Sequence, residues 1–125
     1  NMLDLASQPG SSFVSYFTGQ VDMMDDKSLW GWIRFDLNPD VKVPLKVIYQ
    51  GKKVATMIAH DVRDDVKAAG FEDGKFGFYM SVAGFDFQDL SALKIQIDGT
   101  SMDVVWGPEM NKLASSSREP ELAIQ

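Results

Sequence analysis

The residues of this chain that could carry chemistry are few, and their spacing limits what they can do. His60 is the single histidine and there is no cysteine. A two-histidine zinc centre, a thiolate nucleophile and a disulfide or zinc-ribbon scaffold are therefore excluded. A histidine-based triad would have His60 as its one candidate base, yet no G-x-S-x-G elbow, P-loop or dinucleotide glycine pattern is present. The carboxylate pairs Asp25-Asp26 and Asp64-Asp65 could drive acid–base hydrolysis only across a cleft. In turn-like surroundings they read as solvated charge. Asp36-x-Asn38-x-Asp40 imitates the opening of a calcium loop, but Val41 stands where glycine is needed and Val47 where glutamate is needed. Those side chains read as turn formers, with a different calcium site built from Asp22, Asp36 or Asp40 as the alternative. The expectation is a chain with no catalysis, no cofactor and no bound metal.

Binding chemistry is better represented. From Leu29 to Asp36 the residues alternate, with Leu29, Gly31, Ile33 and Phe35 on one face and Trp30, Trp32, Arg34 and Asp36 on the other. Indoles beside a guanidinium and a carboxylate can stack on sugar rings and hydrogen-bond hydroxyls. The candidate ligand-binding set is Trp30, Trp32, Arg34, Asp36 and Tyr79, with Tyr49 as a further aromatic. A sandwich also needs a large central aromatic, so position favours core for Trp32, while Trp30 reads either way, since a strand buried on both faces also explains it. Trp106, near a strand end, reads as a core lid or as a stacking residue. Lys42, Lys46, Lys52 and Lys53 suggest either a polyanion site or edge-strand lysines that block sheet-to-sheet association. The methionines are scattered without helical spacing, which gives no support to a methionine-rich peptide groove.

The elements that must position these residues are strands. Period-two alternation and turn signals predict strands over 17–23, 29–36, 43–50, 53–59, 75–82, 92–97 and 101–106. Gln50-Gly51-Lys52 and Asp98-Gly99 read as hairpin connections. Asp61 to Gly70, with its acidic start and terminal glycine, predicts a helical turn or two bridging the sheets. The expected fold is all-β, a two-sheet antiparallel sandwich, Ig-like or jelly-roll-like, of about seven or eight strands with one short helical crossover. Residues 1–12 read as a linker and 13–107 as the sandwich. Residues 108–125 read as a tail or short helix opened by Pro108. Ragged ends around this middle suggest a domain from a longer polypeptide.

Composition agrees. The 125 residues are 45% hydrophobic and 24% charged, which fits one globular domain. Eighteen acidic against twelve basic residues give a net charge of −6. That balance repels phosphate backbones and anionic lipid, so no nucleic-acid partner is expected. No apolar run approaches the roughly 20 residues that span a bilayer, and no signal-peptide pattern opens the sequence, so no membrane insertion is expected. A cysteine-free chain leaves the compartment open.

Several fragments occur in a suggestive order: Gly19-Gln20-Val21-Asp22, Leu29-Trp30-Gly31-Trp32-Ile33 and Pro44-Leu45-Lys46-Val47. They continue with Gln50-Gly51-Lys52-Lys53-Val54-Ala55, Ala59, Arg63-Asp64-Asp65-Val66 and Gly74-Lys75-Phe76-Gly77-Phe78. Over residues 16–83 the chain resembles a small bacterial β-sandwich module found in or beside glycosyltransferases and surface-polysaccharide proteins. Ile33 replaces the usual small residue after the G-W pair, and Gln50-Gly51 replaces the usual D-G. The resemblance implies a non-catalytic accessory module of a larger bacterial protein, with a lean towards the cytoplasm. Its implied partners are a polysaccharide or oligosaccharide, or else a neighbouring catalytic domain or a second copy. The motif residues have mechanical explanations of their own. Gly31 and Gly77 lack side chains where a large neighbour such as Trp32 or Phe78 crosses the sheet. Arg63 can reach Asp65 or a strand-end carbonyl and pin the crossover, and Phe71 and Phe78 bury the hinge end.

Overall fold

The computed structural model describes residues 16–116. Its strands are β1 (Phe17–Met24), β2 (Ser28–Phe35), β3 (Val43–Tyr49), β4 (Lys52–Ala59), β5 (Asp61–Val62), β6 (Lys75–Ser81) and β7 (Leu93–Ile97). Between β5 and β6 lies α1 (Asp64–Ala68), before β7 a 3-10 turn (Leu90–Ala92), and after it α2 (Pro108–Ser116). The strands form two antiparallel sheets, ordered β1-β2-β6-β5 and β4-β3-β7. The fold is thus the all-β two-sheet sandwich expected from the alternation, with a short helix at the crossover. Lettered in chain order with β4 as an added strand C′, the sheets read A-B-E-D and C′-C-F. That is the immunoglobulin-like order.

The core follows from alternation. Leu29, Ile33 and Phe35 of β2 face Val43, Leu45 and Val47 of β3, and all are buried. Phe78 of β6 and Leu93, Ile95 and Ile97 of β7 complete the layer, while Met110 of α2 plugs one end. β3 and β4 are joined by Gln50 (φ 51°) and Gly51 (φ 79°), the paired left-handed residues of a tight hairpin whose twist matches the strands.

Three features depart from the expected pattern. In β1, Val21 pairs with Gly31 but Met23 pairs with Trp30, so Asp22 is an extra, bulged residue. The bulge breaks the period-two alternation of Phe17, Gly19, Val21 and Met23: Met24, not Met23, follows Val21 into the core. Segment 101–106, expected as a strand, makes only isolated bridges, Asp103 with Gln96 of β7 and Trp106 with Val21 of β1. The segment runs antiparallel to one sheet and then parallel to the other, so neither ladder lengthens into a strand. The helical stretch expected from Asp61 instead opens as β5, because Asp61 and Val62 pair with Gly77 and Lys75 before α1 begins. Residues 1–15 and 117–125, which include the expected linker and part of the expected tail, lie outside the described residues.

Gly31 lies where β1 and the Phe78 ring of β6 press on β2 within the four-stranded sheet. A Cβ there would meet the Gln20 carbonyl oxygen and Phe78 Cζ inside contact distance. Gly31→Ala should lower the unfolding free energy by about 2–4 kcal/mol. Ile58→Ala, on the exposed edge of β4, should stay within about 1 kcal/mol. Urea denaturation midpoints read both.

Candidate functional site

The outer face of the four-stranded sheet holds the residues that the sequence brings forward as a sugar platform. On β2, Trp30 pairs with Tyr79 and Trp32 with Gly77 of β6, and Trp32 also faces Gln20 of β1. Arg34 faces Thr18, and Asp36 follows at the strand end. The polar members of this set are spent on one another. Arg34 Nη1 donates to Asp36 Oδ1 at 2.6 Å, and Thr18 Oγ1 donates to Asp36 Oδ2 at 2.7 Å. Arg34 Nε and Nη2 grip both oxygens of Glu72 at 2.7 and 3.1 Å. The loop after α1 thereby closes over the sheet, and Phe71 lies 5.1 Å from the Trp32 ring and 5.6 Å from the Arg34 guanidinium. Trp32 is therefore neither a central core residue nor an open platform; it sits under Phe71. Trp30 and Tyr79 remain together on this face, with the Tyr79 hydroxyl 2.7 Å from Ser28 Oγ. Tyr49 lies on the other sheet, its ring against Phe87 and its hydroxyl accepting from Asp89 N–H at 3.0 Å.

Arg63 organises the rest of that face. It precedes α1 in extended conformation (φ −124°) and sends its guanidinium across the sheet. Nε and Nη2 hold both Asp65 oxygens at 2.9 and 2.7 Å. Nη1 reaches Asp22 Oδ2 at 2.8 Å and the Gly31 carbonyl at 3.2 Å. Gly77 makes the crossing possible, since a Cβ there would lie 2.7 Å from Arg63 Cγ. The bulge at Asp22 presents the carboxylate, and Gln20 Nε2 donates to its other oxygen. Gly31, Arg63, Asp65 and Gly77 thus form one assembly, while Phe78 packs beneath Gly31 in the core.

The ion pairs set the electrostatics. The Arg63 hydrogen bonds hold the Asp65 carboxyl below its ordinary value, and those of Arg34 do the same for Glu72. Both guanidiniums are shifted up, Arg34 first by Glu72 and Arg63 first by Asp65. Asp25 is also lowered, by the backbone N–H groups of Lys27 and Ser28. His60 Nε2 stands 3.9 Å from Asp61 Oδ1 with both side chains exposed. The acids considered for calcium do not converge: Asp22 serves Arg63, Asp36 serves Arg34, and Asn38 caps its own turn by accepting from Asp40 N–H at 3.2 Å. The four lysines expected together also separate. Lys42 turns to the first sheet, 2.9 Å from the Lys75 carbonyl and 4.4 Å above the Phe76 ring, and Lys53 pairs with Asp98 at 3.2 Å.

A hollow of about 450 Å3 opens on the opposite edge of the sandwich. It forms where the chain after β7 changes sheets: Val104 N–H donates to Ile95 O at 2.7 Å, and Val21 N–H then donates to Val105 O at 2.8 Å. Between the diverging strands lie Trp106, Ser91, Lys94, Asp103 and Asn111 over an apolar floor that includes Leu93 and Ile95. Asp103 Oδ1 accepts from Gln96 Nε2 at 2.7 Å, and Asn111 Nδ2 donates weakly to the Trp106 carbonyl at 3.4 Å. Of these residues the sequence points only to Trp106. Ser91, Lys94, Asp103 and Asn111 carry no motif, and the change of sheet that gathers them leaves no periodic signal. Comparison of the chain with known protein families, with curated proteins and with solved structures gives no match.

The ion pairs generate two expectations. Arg63→Ala should cost about 1–3 kcal/mol of stability in urea unfolding, with Arg63→Lys recovering only part, because lysine cannot grip Asp65 with a fork. Asp65 and Glu72 are lowered in the folded state, so their contribution is full above the unfolded carboxylate range and is lost as pH falls through the folded values. The thermal midpoint should decline from roughly pH 4.5 downward. Glu72→Gln should start lower at neutral pH and decline less steeply.

Proposed function

We propose that the domain is a non-catalytic accessory module of a bacterial protein concerned with polysaccharide synthesis or surface glycans, and that it binds carbohydrate in the groove beside Trp106. The observation that carries this reading is the lining of that groove, in which an indole borders a concave apolar floor with a hydroxyl, an amide, an ammonium and a carboxylate around it. Sugar recognition needs that mixture, an aromatic surface for the ring and polar groups for the hydroxyls. The outer face of β2 offers less, since a ligand there would have to break the Arg34–Asp36–Glu72 network before it could use it. The resemblance over residues 16–83 supports the setting.

A second reading, docking on a neighbouring catalytic domain or a second copy, is favoured by the exposed Ile58 (51%) of β4 and Val62 (57%) of β5 on the two free sheet edges. Affinity electrophoresis through a panel of soluble polysaccharides tests the first reading. At least one polysaccharide should retard the protein, and both Trp106→Ala and Asn111→Ala should weaken retardation about tenfold, with Trp30→Ala close to the parent. Asn111 is exposed, so its substitution spares the core that Trp106 also touches. If no polysaccharide retards the protein while light scattering shows a dimer, the second reading replaces the first.

A further inference from the structure

Charges around the groove beside Trp106 come in opposing pairs. Lys94 is the one base in its lining and Asp103 the one acid, and both side chains are exposed. Just outside the lining, Lys46 of β3 pairs in register with Gln96, the residue that bonds Asp103. Asp89 stands on the other side, accepting from the Ser91 hydroxyl. On α2, Glu109 and Lys112 pair with each other at 3.4 Å. Acid and base therefore balance at this edge, in a chain whose net charge is −6.

The open hydrogen-bonding capacity is mixed in the same way. Among the described residues the Lys94 ammonium and the Trp106 indole N–H have no acceptor, so both remain as donors. Asp103 keeps one oxygen open, since Gln96 takes only Oδ1. Ser91 gives its hydroxyl hydrogen to Asp89 and keeps only lone pairs for a ligand. Asn111 offers both kinds of group: Nδ2 is committed only to the long 3.4 Å bond on the Trp106 carbonyl, and Oδ1 is open. On the main chain the open Leu93 and Val104 carbonyls lie beside open donors, which favours neither sign. A hydroxyl donates one hydrogen bond and accepts two, so it can meet either kind of partner, whereas a carboxylate only accepts and an ammonium only donates. An acidic sugar would set its carboxylate among Asp103, Ser91 and the Asn111 carbonyl with no proton to offer them. An amino sugar would meet Lys94 and the indole N–H with nothing to accept their bonds. Either charge leaves desolvated groups unpaired, which a hydrogen-bonding site penalises strongly.

Resting on the carbohydrate reading above, we infer that the groove is selective for uncharged sugars, with Asp103 turning away acidic sugars and Lys94 turning away amino sugars. The two side chains are specificity-determining residues. Each bonds a neutral hydroxyl, and each repels one sign of charge, so recognition and rejection come from the same pair.

The test titrates the protein, by calorimetry in dilute buffer, with oligomers of glucose, of mannose and of galactose. Each is used in a neutral form, a form oxidised to the uronate at the primary hydroxyl, and a form carrying an amine there. At least one neutral oligomer should bind, and its oxidised and aminated forms should bind about five times more weakly or worse. Asp103→Asn should return most of the loss to the oxidised form and none to the aminated one, and Lys94→Gln should do the reverse. Asp26→Asn, the same change of charge in the exposed turn before β2, should alter neither ratio. Oxidised or aminated oligomers that bind as tightly as the neutral form overturn the inference and leave carbohydrate binding standing. A loss that neither Asp103→Asn nor Lys94→Gln restores also overturns it, because the missing hydroxyl and not the charge is then the cause. Failure of every form overturns it too, and the electrophoresis above then decides the wider reading.

Discussion

Val21 is bonded on both sides of its peptide to the segment that follows β7: its N–H donates to Val105 O and its carbonyl receives Gly107 N–H, each at 2.8 Å. A few residues earlier the same segment is bonded to Ile95 and Ile97 in the other sheet. One short stretch of chain thus satisfies the edges of both layers. An exposed edge is a liability that sandwiches must cover, and here one segment covers two. The cost is geometric, because a backbone that leaves β7 for β1 cannot finish its ladder with β7. The hollow beside Trp106 is a product of that departure.

The opposite side of the molecule is held by charge. Arg63 spans from α1 over β6 to the Gly31 carbonyl on β2 and the bulged Asp22 on β1. Arg34 ties β2 to the loop carrying Glu72, with Asp36 shared by Thr18. These partly buried forks fix direction better than they add stability. They explain the glycines as well, since Gly77 leaves room for the Arg63 stem and Gly31 for the Phe78 ring. Of the surface that looks like a binding platform in sequence, Trp32, Arg34 and Asp36 are engaged by the chain itself, while Tyr79 stays exposed.

What could be read in advance follows from how local each determinant is. The inward residues of β2, β3, β6 and β7 obey a period of two over their whole length, and Ile33, Val47, Phe78 and Ile95 are buried as alternation requires. The hairpin at Gly51 and the helix opened by Pro108 were also legible, because turn and cap preferences act within a few residues. The bulge at Asp22 was not, since an extra residue is defined only by the partner strand. Nor was the role of Glu72, whose turn is distant in sequence from Arg34. Arg63 with Asp65 could be paired by spacing, whereas its reach to Asp22 depends on a sheet that the spacing does not describe. The groove residues were the least legible: Ser91, Lys94, Asp103 and Asn111 are ordinary surface types that only the change of sheet assembles.

The parallel contact between β1 and the Val105–Gly107 segment also has a mechanical meaning. Force applied to the two ends of the domain would draw β1 and this segment in opposite directions along their common axis. Once α2 is pulled straight, the two Val21 hydrogen bonds are loaded together, lengthwise, and must rupture at the same moment instead of unzipping in turn. The arrangement that closes the sandwich is therefore also the one that lets it carry tension between whatever lies on either side of it.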